Sequence, residues 1–140
     1  MNQQNVDMFI LKKGNFFPNS SLMMLRERLN KLDDSNLSLL LSANFKDPNI
    51  GFLFSIGLGA YGIDRFYLGH TFIGILKLIL ILSIILTYVP IVFDDDCSPF
   101  IFGVFIIQVI GVLLWYIVDI FKVSKEIKEY NFTHLLTLLN

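Results

Sequence analysis

The sequence predicts an all-α fold: an integral membrane helical hairpin with a short glycine-rich helix before it and small N-terminal helices. Three observations carry this reading. Residues 72–93 and 100–121 are apolar runs of 22 positions each, and as helices each reaches about 33 Å, enough to cross a hydrocarbon core of about 30 Å. Hydrophobic residues make up 54% of the chain and charged residues 16%, against roughly a quarter charged in ordinary globular domains. Finally, apolar residues in the first 48 positions recur at the three- and four-residue steps of amphipathic helices.

The N-terminal region, residues 1–48, is soluble in character. Val6, Phe9 and Ile10 share a face over residues 3–13, and Gly14 stands where a helix C-terminal glycine belongs. After Phe16, Phe17 and Pro18, Ser20 or Ser21 is placed to cap a helix carrying Leu22, Leu25, Leu29 and Leu32. Asp33, Asp34 or Ser35 offers a cap for a leucine-rich helix through Ala43, and Lys46-Asp47-Pro48 closes the region. Residues 49–123 then form the membrane domain, and 124–140 an amphipathic tail expected to lie on the cytoplasmic face.

Within the membrane domain the first apolar segment, 50–63, reaches only about 21 Å as a helix and is short for a span. Between the two full spans, Asp94-Asp95-Asp96-Cys97-Ser98 with Pro99 must be an aqueous turn, because three carboxylates on irregular backbone cannot sit in lipid. The turn has no Lys or Arg. Lys46, Arg65 and Lys77 lie at the opposite end of the hairpin, and Lys122, Lys125 and Lys128 follow it, so the positive-inside rule puts the acidic turn outside and the tail in the cytoplasm. The side taken by residues 1–48 depends on whether 50–63 spans. Six basic residues in that region favour the cytoplasm.

At 140 residues the chain has room for one functional unit. A net charge of −1 offers no basic surface to nucleic acid. Cys97 is the one cysteine, so neither a disulfide within the chain nor a zinc set is expected. The N-terminus has no signal-peptide pattern. Gly57-Leu-Gly59-Ala-Tyr-Gly62 fits the dinucleotide-binding pattern, but no strand precedes it and no βαβ unit surrounds it. Its better use is packing, with Gly51, Ser55 and Gly59 at i, i+4 and i+8 forming a smooth face for the hairpin or a second copy.

Asp64-Arg65-Phe66-Tyr67-Leu68-Gly69 is the principal candidate feature. Phe66 and Tyr67 suit a headgroup-level aromatic belt. Lys77 and Asp119 are ionisable residues near the same end of an antiparallel hairpin, and such residues are costly in a membrane unless paired. Asp119 is therefore expected to pair with Arg65 or Lys77. Trp115, one turn before Asp119, reads as an interfacial anchor, and Gln108 as a hydrogen-bonding group between helices. The three consecutive aspartates lack the spacing of a calcium loop. His70 and His134 have no catalytic partners, and no cofactor or metal is expected.

Gly57-x-Gly59-x-x-Gly62-Ile-Asp64-Arg65-Phe66-Tyr67-Leu68-Gly69, then Gly74-Ile-Leu-Lys77-Leu, then Trp115-x-x-x-Asp119-Ile-Phe121 resemble the TM-2 domain, a two-transmembrane-helix family. Val6-Asp-Met-Phe9, Gly14-x-Phe-Phe17-Pro, Asp33-Asp-Ser35 and Phe45-Lys-Asp-Pro48 resemble its bacterial members. The resemblance implies a helical hairpin of the cell (inner) membrane, an Asp-Arg-Phe turn facing the cytoplasm, no enzymatic activity and an unsettled function. It marks Asp64, Arg65, Phe66, Tyr67, Gly69 and Asp119 as the signature. Lys77 and Trp115 stand 38 positions apart, which departs from the family pattern and reads as an apolar insertion that makes two spans from one. The family's usual topology, unlike the basic residues, would put the N-terminus outside. The leading expectation is a non-enzymatic scaffold or interaction protein whose partners are the bilayer and a second copy or another membrane protein. The alternative is a subunit of an oligomeric ion- or proton-coupled transporter using Arg65, Lys77, Gln108 and Asp119.

Overall fold

The computed structural model describes residues 1–94 and 98–139; Asp95, Asp96 and Cys97 of the expected acidic turn lie outside them. Among the described residues the chain is helical without strands. The helices are α1 (Gln3–Lys13), α2 (Leu22–Asn30), α3 (Asn36–Ser42), α4 (Pro48–Leu58), α5 (Ile63–Leu68), α6 (Thr71–Phe93) and α7 (Pro99–Leu138), with 3-10 turns at Gly14–Phe16, Asn19–Ser21 and Gly59–Tyr61. Two compact units result: Met1–Pro48 with Lys125–Asn140, and Asn49–Ser124.

The first unit has a core of Val6, Phe9, Phe17, Leu25, Leu29, Leu40, Phe45 and Leu135. Phe17 links its parts, tilted against Phe9 at 6.2 Å and edge-on to Phe45 at 5.1 Å between ring centroids. Helix ends here are finished differently from the sequence expectation. Gly14 keeps a right-handed φ of −55°, because the chain tightens into a 3-10 turn that never needs the left-handed glycine cap. Ser21 occupies the N-cap position of α2, yet its hydroxyl donates back to the Pro18 carbonyl at 2.9 Å. Ser35 likewise precedes α3 without capping it. Asp34 instead accepts from the Asn2 N–H at 2.7 Å and the Asn5 amide at 3.0 Å, which tethers the start of α1. Those bonds, the backbone one foremost, hold the Asp34 carboxyl below the usual carboxylate range.

The tail also differs from its expectation. It is the last part of α7, and Ile127 and Leu135 are fully buried, with Asn131 between them on the same face. Its apolar stripe is thus covered by protein, since a three-to-four periodicity is the same whether the surface it meets is lipid or a leucine core. Asn131 fixes the docking. Its Oδ1 accepts from the Lys46 N–H at 2.9 Å, and its Nδ2 donates to the carbonyls of Lys46 at 2.7 Å and Phe16 at 3.1 Å.

In the second unit α6 and α7 are the two helices long and apolar enough to cross a membrane. Their large apolar side chains stay outward, as with Leu86 at 74% and Ile107 at 72% exposure, where a soluble protein would bury them. Between the helices, Thr87 donates to Gln108 Oε1 at 2.9 Å and the Gln108 amide donates to Ser83 at 3.4 Å, which satisfies the mid-span polar groups. Pro90 falls within the last turn of α6, so the i→i−4 bond its missing N–H removes lies near the end of the helix. Pro48 opens α4, the position at which its fixed φ suits a helix start.

Candidate functional site: a closed ring of four buried charges

The Asp-Arg-Phe stretch folds as a short helix between two left-handed glycines. Gly62 has φ 81° and Gly69 φ 95°, a conformation that side chains disfavour. A Cβ at Gly62 would stand 2.8 Å from the Gly74 carbonyl oxygen, and one at Gly74 2.8 Å from the Phe66 ring. These glycines let α5 lie directly on the first turns of α6. Phe66 covers Gly74, while Tyr67 meets Phe54 edge-on at 5.5 Å, so both aromatics of the stretch have packing partners inside the unit.

This close approach turns Asp64 and Arg65 inward. Asp64 is fully buried, and Arg65, Lys77 and Asp119 are at most 5% exposed. Lys77 Nζ lies 3.1 Å from the Asp64 carboxylate and also contacts Asp119. Asp119 in turn pairs with Arg65, whose Nε lies 3.5 Å from Asp64. The four groups alternate in sign around a closed ring, each touching both neighbours of opposite charge. Two positive and two negative charges leave no net charge in a low-dielectric setting, the condition under which buried ions are tolerated. The structure thus brings Asp64, Arg65, Lys77 and Asp119 together, with Phe66, Tyr67 and Gly69 placed beside them by α5.

Lys77 has a further partner that no residue pattern announces. Its ammonium donates to the Gly59 carbonyl at 2.9 Å, just past the end of α4, where the helix dipole is negative. Tyr116 finishes the same end, donating its hydroxyl to the Ile56 carbonyl at 2.6 Å. Gly59 is buried, and a Cβ there would meet the Tyr116 ring at 3.4 Å. Gly51 and Ser55 are also buried. The first two lie on α4, which ends at Leu58, and Gly59 opens the 3-10 turn that follows it. The Ser55 hydroxyl has no hydrogen-bond partner among the described residues. Trp115 sits half-buried with its ring 6.0 Å from the Lys77 ammonium, a cation–π distance.

Beside the ring lies a cavity of about 10 Å³ lined by residues including Gly59, Lys77, Val112 and Trp115, at the lower limit for one water molecule. No cluster of metal-ligating side chains occurs among the described residues.

The fold and the ring define a helical membrane protein in which paired buried charges join a short helix to a hairpin. Residues 44–93 match the family model of the TM2 domain, a little over a third of the chain, and the match takes in the Asp-Arg-Phe stretch, both left-handed glycines and Lys77. It ends with α6, so Trp115 and Asp119 lie beyond it. No curated protein and no solved structure matches the chain.

Proposed function

We propose that this chain is a non-enzymatic TM2-type protein of the bacterial inner membrane, with α6 and α7 as its spans and an apolar insertion between Lys77 and Trp115 that makes two spans from one. It acts as a scaffold or interaction protein. The observation that carries this reading is the ring itself. All four charges are paired within the ring, Lys77 also holds the Gly59 carbonyl, and the adjoining cavity is the size of a single water. Catalysis and ligand binding need charged groups with unspent capacity and space beside them. A latch that holds a loop in one conformation needs neither. The positive-inside rule supports placing the Asp-Arg-Phe stretch and the end of α7 in the cytoplasm and the acidic turn outside. The first unit then presents exposed apolar residues, Leu11 at 86% and Met23 at 85%, to a partner there.

Purified protein in proton-loaded vesicles with a pH-sensitive dye separates this reading from transport. No flux above protein-free vesicles is expected. Flux abolished by Asp119→Asn would replace the scaffold reading with the transporter one. Photo-crosslinking from position 23 in native membranes should give discrete protein adducts, and adducts to lipid alone would remove the interaction role.

A further inference from the structure

We infer that the segment 49–63 does not cross the membrane: it enters one leaflet and returns, presenting an apolar face to lipid acyl chains and leaving the N-terminal region on the same side as the end of α7. This rests on the reading of α6 and α7 as spans.

The argument begins with connectivity. The membrane unit joins the rest of the chain at two points, Asn49 and Ser124. Both lead into one compact unit, in which Leu135 shares a core with Val6, Phe9 and Phe17 and Asn131 bonds to Phe16 and Lys46. A packed core cannot be divided by a bilayer, so the chain between 49 and 124 crosses an even number of times. With α6 and α7 supplying two crossings, none is left for 49–63.

Its local structure agrees. The 11 residues of α4 measure about 16 Å, roughly half of the hydrocarbon thickness of about 30 Å. Its far end is tied close to the start of α6 and to the same level of α7: the Gly59 carbonyl is held by Lys77, only six positions into α6, and the Ile56 carbonyl by Tyr116, three before Asp119. Backbone at membrane depth must have its carbonyls satisfied by protein, and these two bonds do so where α4 stops. The opposite face of α4 carries Ile50, Phe52, Leu53 and Ile56, each at least 40% exposed and Leu53 66%. That face contains no charged residue, which fits acyl chains rather than water or a polar partner surface.

Single-cysteine labelling of the full chain in oriented membrane vesicles tests this, with a membrane-impermeant maleimide applied from either side. The variants are Asn15→Cys and Thr133→Cys, each in a Cys97→Ser background, beside the native Cys97. Both mutated positions are exposed. The expected result is labelling of positions 15 and 133 from one side and of Cys97 from the other. If 15 and 133 are labelled from opposite sides while 97 and 133 still differ, the inference is overturned and the hairpin reading stands. If 97 is labelled from the same side as 133, the hairpin reading falls and this inference with it. A nitroxide at Leu53→Cys in the same background adds a measure of depth. Collision with dissolved oxygen should exceed collision with a water-soluble nickel chelate by several-fold, and the reverse ratio would overturn lipid contact.

Discussion

Removing the charge of Asp119 tests the ring most directly. Its Oδ2 lies 3.4 Å from Arg65 Nε, a separation worth about 5 kcal/mol of gross Coulomb attraction at an effective dielectric of about 20. Desolvation of both ions offsets much of that attraction in the intact ring. Asp119→Asn keeps the shape but takes from Arg65 and Lys77 the carboxylate that both contact, so the four groups of the ring carry one net positive charge in an enclosed site. Breaking a buried pair in this way costs about 3–5 kcal/mol, and the expected loss is near the lower figure because polar contacts between membrane helices measure weaker than in water. Lys77→Met added to Asp119→Asn restores neutrality, and the double variant should lose less than the sum of the singles by about 1 kcal/mol or more. The assay is detergent-micelle protein titrated with sodium dodecyl sulfate and followed by fluorescence of Trp115, the one tryptophan, which sits 6.0 Å from Lys77. A single-variant loss under about 1 kcal/mol, or strict additivity of the pair, would refute the claim that these charges act as one ring.

Three further outcomes follow from the packing. Gly62→Ala places a Cβ against the Gly74 carbonyl at a left-handed φ and should cost more than about 2 kcal/mol in the same titration, whereas Gly111→Ala, with open space around its Cβ, should be neutral or stabilising by up to about 1 kcal/mol. Asn131→Ala removes three hydrogen bonds to backbone groups of Phe16 and Lys46. Limited proteolysis should then cut within residues 125–139 at least several times faster, with α6 unaffected. The Asp34 carboxyl is held below its ordinary value by Asn2 and Asn5, so its contribution is full above the unfolded value of about 3.9 and is lost as pH falls through the lower folded value. Amide exchange at Asn2 and Val6 should therefore show extra opening only in acid, and Asp34→Ala should bring that opening to neutral pH.

Much of the architecture was legible because it rests on composition and period. Apolar length marked the two long helices, and the three-to-four spacing of Leu22, Leu25, Leu29 and Leu32 marked α2. Helix ends were less legible, since Ser21 and Ser35 have the chemistry of caps but local turns compete for their hydroxyls and for the space around them. The destination of the tail was hidden for a different reason: Ile127 and Leu135 would look the same facing a bilayer. In the site, the need to neutralise ions in a membrane singled out Lys77 and Asp119. That Asp64 closes the ring, and that Lys77 also meets the Gly59 carbonyl, depends on Gly62 and Gly74 letting two backbones touch. A glycine in sequence announces freedom without saying what will approach it. Asn131 carried no signal at all, as one polar residue on a tail read as an amphipathic helix lying on the cytoplasmic face.

The grip of Asn131 on Phe16 and Lys46 spans 115 and 85 positions, so it sets an order of events. During synthesis the first 48 residues emerge long before the segment that completes their core. They must wait, with Val6, Phe9, Phe17 and Leu25 uncovered, until both long helices have been inserted and the last residues are released. With α6 and α7 spanning as proposed, closure of that core is then a check on everything made in between: a chain whose hairpin has inserted wrongly, or not at all, cannot deliver residues 125–139 to the right side, and its first residues stay open to proteases and chaperones.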